Sequence, residues 1–422
     1  MLLRTLIRSS AATYLLPFLL GFVLIALNDD LSSWVTAHYW LSVTGTSTFT
    51  LPFVSAACAA VAAWEGARLH RGRVFDQAPV RSQLAISLPV LLPVAVMGLL
   101  GMLAALFAAA SAADVGPGLP HPGILTVILG VLLANTLVGY IVGRVLSAVL
   151  AVPLALIGSF FAGAYPSSWS IFWMRHLLGG ALDNCCAADG QVDARALAAP
   201  LVFTGAVIIS ALLLIQLRGR TVTLAAAAVV TAAGIAGAGY LARDLGPDPV
   251  TARPTSALQC QGEAPRICLW PEVEDPTGVA RQTRAAVTRL TQAGLTVPTT
   301  LTMAAHPAAG AAKLGIATNP RPADIPGGVA SGLLPTEPPQ CARDGQPYPG
   351  GNAMIPLTAW LYATAGEPAD SVAGRFGPQD FAVVQPVLKQ PRDVQLAWYR
   401  TNLSALSSCG VQPQLAPKGS AS

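Results

Sequence analysis

The feature that most restricts this chain is the spacing of its charges. Before Leu245 they gather in short clusters separated by long apolar runs, whereas after it charges, Pro and Gly are spread as in an ordinary polar domain. A run of about 20 apolar residues is long enough to cross the hydrocarbon core as a helix. Composition agrees: 53% of the residues are hydrophobic and only 11% charged, roughly half the charged fraction of a soluble domain. The sequence therefore predicts an integral membrane region followed by a folded polar domain. The net charge of +4 is small, and no basic run with interleaved aromatics occurs. Nucleic acid is thus not an expected partner.

Seven spans are expected, at about residues 11–27, 46–64, 84–110, 124–142, 146–164, 201–217 and 221–241. Arg4 and Arg8 precede the first. Arg68, Arg71, Arg73 and Arg81 lie between the second and third, Arg144 between the fourth and fifth, and Arg218 with Arg220 between the sixth and seventh. The alternate loops carry Asp29, Asp30, Asp114, Asp183, Asp189 and Asp193 against Arg175 and Arg195. Basic loops stay in the cytoplasm, so the N-terminus is expected inside and the C-terminal domain outside. That parity depends on a real break at residues 142–146. The first run lacks a convincing small-residue cleavage site and is taken as a span rather than a signal peptide.

Of the seven cysteines, Cys58 falls within the second span and is expected to pack as a small apolar residue. Cys185, Cys186, Cys260, Cys268, Cys341 and Cys409 all fall in segments assigned outside, where disulfides form. Sequence alone leaves the pairing open; Cys260 with Cys268 and Cys341 with Cys409 is preferred. The adjacent Cys185 and Cys186 either form a vicinal bridge or stay reduced. Metal binding is the rival reading, but none of these cysteines has a zinc-type spacing. Residues 244–257 read as a linker. In residues 258–422 a strand is expected at 266–270, with helices at 279–293, 353–364, 378–387 and 392–408, giving a small α+β, mostly helical domain.

No catalytic constellation stands out. The five histidines are not paired at ligand spacing, and HExxH, GxSxG and Walker A sequences are missing. Glu272 and Glu274 read as a solvated turn. The span interiors hold no Asp, Glu, Lys or Arg near their middles, which disfavours an ion-coupled transporter. Asn135 is their most polar candidate, read as an interhelical hydrogen bond.

Between the second and third spans runs Trp64-Glu65-Gly66-Ala67-Arg68-Leu69-His70-Arg71-Gly72-Arg73, then Gln77-Ala78-Pro79-Val80-Arg81. This segment resembles the cytoplasmic loop of ABC-2 type exporter permeases, in which an acidic residue ends the second span and a short basic amphipathic helix follows. The resemblance implies a six-span core over about residues 1–220, with residues 166–182 similar to that family's outer re-entrant helices. It also implies a coupling helix that seats on the ATPase subunit through Glu65, Arg68, Leu69, Arg71, Arg73, Val74 and Arg81. The bland alternative for the arginines is positive-inside anchoring. A seventh span (221–243) and the outer domain depart from the family pattern; the outer domain, with Cys268-Leu269-Trp270-Pro271-Glu272 near its start, resembles the C-terminal domain of actinobacterial permease-like proteins.

The expectation is thus an all-α polytopic membrane domain, a linker and an outer α+β domain, acting as the transmembrane subunit of an ATP-driven exporter. Such a chain holds no cofactor, catalytic residue or metal of its own. ATP and Mg²⁺ sit on a separate cytoplasmic ATPase. Its other partners are the lipid bilayer, a second copy or a related permease, and an extracytoplasmic partner for the outer domain. Two rivals are a membrane-anchored binding or sensor protein and an immunity protein.

Overall fold

In a bilayer a helix satisfies its own backbone groups, and each apolar run of this chain is helical. The computed structural model describes residues 8–27, 34–77, 82–216 and 221–416, and it divides into two units, Met1–Thr251 and Ala252–Ser422. Among the described residues of the first unit, six helices are long and apolar enough to span: Trp40–Arg71, Gln83–Ala112, Pro122–Val145, Ala148–Ser168, Ala194–Gln216 and Thr221–Ala242. The remaining expected span is a shorter apolar helix, α1 (Ala11–Ala26), of 16 residues. At 1.5 Å per residue it reaches only ~24 Å. Among the described residues six helices therefore meet the length of a span and α1 falls short of it, with residues 1–7 and 28–33 on either side outside the described set.

The long second element joins α2 (Trp40–Ser47), a 3-10 turn (Thr48–Thr50) and α3 (Leu51–Arg71). A single turn, α4 (Val74–Gln77), follows, then α5 (Gln83–Ala112), α6 (Pro122–Val145) and α7 (Ala148–Ala164). The pieces after α7 are short: a 3-10 turn (Tyr165–Ser168), α8 (Phe172–Arg175), a 3-10 turn (Leu182–Asn184) and strand β1 (Gly190–Val192). Helices α9 (Ala194–Gln216) and α10 (Thr221–Ala242) complete the unit's helices. Over residues 166–182, where re-entrant helices are expected, only the 3-10 turns and the single turn α8 are helical, and Gly179 takes a left-handed φ of 70°.

Contacting residues give the direction of every helix. Glu65 meets Ser10 and Phe53 meets Phe22, so α1 and α3 are antiparallel. Cys58 meets Gly98 and Val54 meets Gly101, so α3 and α5 are antiparallel too. Gly139 and Gly143 of α6 lie on Ala59 and Ala63 of α3, a parallel pair. Leu146 and Ser147 are extended, with ψ 159° and 152°. Ser159 Oγ donates to Asn135 Oδ1 at 2.6 Å. Residues 135 and 159 are equidistant from Ser147, so α6 and α7 form a hairpin, and Asn135 makes the expected interhelical hydrogen bond. Gly123 meets Leu197 and Gly130 meets Thr204, a parallel α6–α9 pair. Ser210 meets Ala227 and Ala206 meets Gly234, an antiparallel α9–α10 pair. Direction thus alternates through all seven helices, and α10 ends on the face opposite the start of α1.

Helix α3 is the hub, buried on nearly every side. Glycine and alanine allow this: a Cβ at Gly139 or Gly143 would collide with the carbonyls of Ala59 or Ala63. Small residues spaced by four let helix backbones approach closely where lipid offers no hydrophobic drive. Cys58 is buried with its Sγ 3.8 Å from the Val94 oxygen, the small packing residue expected.

The second unit holds a four-stranded sheet in the order β3 (Gln259–Gln261), β4 (Arg266–Leu269), β5 (Thr300–Thr302), β6 (Ala311–Lys313). The earlier strand β2 (Val250–Ala252) pairs with β1. Strand β3 is antiparallel to β4, while β4–β5 and β5–β6 are parallel. Helix α11 (Pro276–Gln292) is the β4–β5 crossover. Asp275 caps it by accepting from the Gly278 N–H at 3.0 Å, and Val279, Ala286 and Leu290 are buried. Beyond the sheet lie α12 (Ile325–Ser331), α13 (Gln340–Arg343), α14 (Met354–Ala365), α15 (Ala369–Phe376), α16 (Pro378–Leu388) and α17 (Arg392–Ser407). Trp360 stacks near Trp398 and Tyr399 and donates its Nε1–H to Gln395 Oε1 at 3.1 Å. Glu272 lies in the expected turn but is not solvated there. Both its oxygens accept from Arg253 at 2.9 Å, and that guanidinium lies 4.5 Å over the Trp270 ring.

Candidate functional site

The segment that suggested a coupling helix begins inside α3. That helix runs unbroken past Glu65 to Arg71, carrying Arg68, His70 and Arg71 in its last turn, where cations complement the helix dipole. Gly72 caps it and Arg73 takes a left-handed φ of 49°. Only the four residues of α4 form a separate helix. The expected free-standing basic helix is thus mostly an extension of the second span, because nothing between Trp64 and Arg71 breaks helical hydrogen bonding.

The expected contact residues split into two groups. Glu65 is fully buried and points inward, accepting from the Ala11 N–H at 3.2 Å and from Ser10 Oγ at 3.4 Å. Arg68 pairs with Glu65 at 2.8 Å and donates to the Ser9 oxygen at 2.8 Å. Together they hold the N-terminus of α1, whose unpaired N–H groups favour a carboxylate. Leu69 is half-buried against the bundle core. All three contact the bundle, Glu65 wholly inside it, while the Arg68 side chain stays 41% exposed. Arg71 and Arg73 are exposed and Val74 half-buried. Arg81 lies outside the described residues.

Sequence reasoning missed the residue that organises this face. Arg144, at the end of α6, is 8% exposed and donates to Gln83 Oε1 at 2.6 Å. Its guanidinium lies 4.3 Å from the centroid of the Phe75 ring in α4 and 5.8 Å from that of Tyr140. Tyr140 OH and Ser87 Oγ share a hydrogen bond of 2.6 Å. One side chain thereby links α4, the start of α5 and the α6–α7 turn. Its only signal in the sequence was a lone Arg at a predicted turn, which anchoring also explains.

Basic residues predominate at one end of the bundle and acidic residues at the other. Arg8, Arg68, Arg71, Arg73 and Arg144 lie at the end where α1 starts and α3 finishes. Asp114, Asp183, Asp189, Asp193 and Asp248 lie at the other, with Arg175, Arg195 and Arg243. At that second end Cys185 and Cys186 are joined to each other. In the second unit Cys260 faces Cys268 across β3–β4 with Cα atoms 4.0 Å apart, and the Cys341 and Cys409 Cα atoms are 6.1 Å apart. Both preferred pairs are brought together. Among the described residues no group of three His, Cys, Asp or Glu could hold a metal ion.

No curated protein and no solved structure matches the chain. The family described as a domain of unknown function, DUF7224, matches residues 267–409, which lie within the second unit.

Proposed function

We propose that the chain is the transmembrane subunit of an ATP-driven ABC-2 type transporter, an exporter, that works with a separate cytoplasmic ATPase holding ATP and Mg²⁺. The observation that carries this reading is the Arg144 junction. A push on the exposed segment at Arg71, Arg73 and Val74 is passed directly along α3 and, through Phe75 and Arg144, to α5 and the α6–α7 hairpin. Rigid packed elements transmit such displacements as bodies. The arginine face is then cytoplasmic. On this reading the end of α10 and the domain after it lie outside, in a compartment suited to its cysteine pairs, and the alternation of helix direction supports that topology. The lipid-facing sides of α7 and α10 leave room for a second permease.

The test uses residues that the bundle does not need. Arg71→Glu with Arg73→Glu, and separately Val74→Asp, are expected to insert normally. They should also lose the ATPase in a pull-down from mild detergent and lose transport-linked ATP turnover. Like charges set against each other across an interface cost several kcal/mol. If the variants keep the ATPase and its activity, or if the wild type captures none, the chain is a membrane-anchored sensor instead.

A further inference from the structure

At the end of the bundle where the aspartates gather, a cavity of about 700 Å³ opens between the start of the second long helix and the turn after α8. That volume is in the range of small-molecule sites. Gly45 makes the approach: a Cβ there would fall on the Cys185 oxygen and within 2.8 Å of the Leu182 oxygen. The next residue, Thr46, therefore lines the same cavity as Asp183.

The hydroxyls of this stretch are otherwise satisfied. Thr44 donates to Trp40 O at 2.7 Å, Ser47 to Thr44 O at 2.7 Å, Thr48 to Gly45 O at 2.7 Å and Thr50 to Ser47 O at 3.0 Å. Ser42 accepts from the Thr36 N–H at 2.9 Å. Thr46 is 2% exposed, yet its Oγ1 has no partner, and Asp183 Oδ1 is likewise buried without one. Native proteins rarely leave such atoms unpaired without a reason.

The other features of the lining point to the sign of what fits. Asp248 is its second carboxylate, and no described Lys, Arg or His lines it. Trp34 and Phe49 form an edge-to-face pair at its wall, centroids 5.5 Å apart. Burial above all, with a smaller push from the charge of Asp248, raises the Asp183 carboxyl to about 6. Ca²⁺ and Mg²⁺ prefer six or more oxygen ligands. Aromatic faces beside carboxylates suit an organic ammonium, whose N–H groups also supply the donors that Thr46 Oγ1 and Asp183 Oδ1 lack.

We infer that this cavity is a binding site for a small organic ammonium ion, held by Asp183, Thr46 and Asp248 with Trp34 and Phe49 against its carbon chain. The assignment does not depend on an ATPase, so its failure and the failure of the transporter reading are separate results.

The probe is n-butylammonium, titrated calorimetrically into the full chain in detergent at neutral pH. Saturable binding is expected, and Asp183→Asn should weaken it by at least about tenfold, a loss of ~1.4 kcal/mol. Thr46→Val should weaken it while leaving the melting temperature equal or higher, because it removes an unpaired buried hydroxyl. Neutral N-butylacetamide should not compete. The inference is overturned by no saturable heat (a cavity holding only water), by equal binding of the neutral analogue, by binding of Ca²⁺ in place of the amine, or by amine binding that Asp183→Asn and Thr46→Val leave intact.

Discussion

The close approach of α3 and α6 makes a quantitative prediction. Gly139→Ala and Gly143→Ala each add one methyl group, and in both cases it would overlap a backbone carbonyl of α3, at Ala59 or Ala63. A backbone cannot rotate away as a side chain does. Restoring a carbon–oxygen separation of about 3.5 Å requires the helices to part by roughly an ångström, and a gap of 0.5–1 Å forfeits about a quarter to a half of each dispersion contact. Overpacking of this kind costs about 1–3 kcal/mol per site. For a unit of this size each kcal/mol moves the melting temperature by roughly 2–4 °C. Gly158 and Gly205 are the controls, since a Cβ at either meets nothing within 4 Å. Alanine there should be neutral or stabilising, as it is favoured over glycine in a helix by about 1 kcal/mol. Thermal melts of the purified chain in detergent compare the four variants. If Gly139→Ala and Gly143→Ala melt with Gly158→Ala and Gly205→Ala, the α3–α6 contact is not the close one described, and the reasoning from it fails.

Three further outcomes are expected. Non-reducing peptide mapping of membrane-extracted protein should find Cys260–Cys268 and Cys341–Cys409. The loop model gives the second, which closes 68 residues, about 4 kcal/mol against about 2.5 for the first, which closes 8; free thiols at all four positions would reject both. Arg68→Ala should destabilise the first unit more than Glu65→Gln, by about 1–3 kcal/mol, because it leaves a buried carboxylate without its cation while Gln still accepts from Ser10 and Ala11; the reverse order would reject this account of the pair. Butylammonium affinity should be full above pH 6 and fade as the pH falls through about 6, where Asp183 takes up its proton. Asp248 is the other titratable group among the described residues lining the cavity, and a profile flat from pH 7 to 5 would remove Asp183 from the site.

The sequence by itself determined that this chain enters a membrane, because a run of twenty apolar residues has one low-energy environment whatever its neighbours do. It also determined the α6–α7 break, at a lone Arg between two apolar runs, and the strand at Arg266 and the helices after it, where apolar spacing and turn residues are local signals. Helix α15 escaped because it buries one residue, Val372, and one residue has no period to read. The cysteine pairs were half legible: two preferred pairings lie together, though nothing local distinguishes them from the alternatives. What only the tertiary structure decided is which polar residues face inward. Glu65 and Arg68 look like any basic loop until α1 is placed beside them, and Arg144 looks like an anchor until Phe75 and Gln83 meet it. Thr46 differs from Thr44, Thr48 and Thr50 in nothing but the direction of one hydroxyl and the turn that Gly45 lets pass. These are contacts between segments about 54 to 140 residues apart in sequence, and their energies depend on distances that no local pattern encodes.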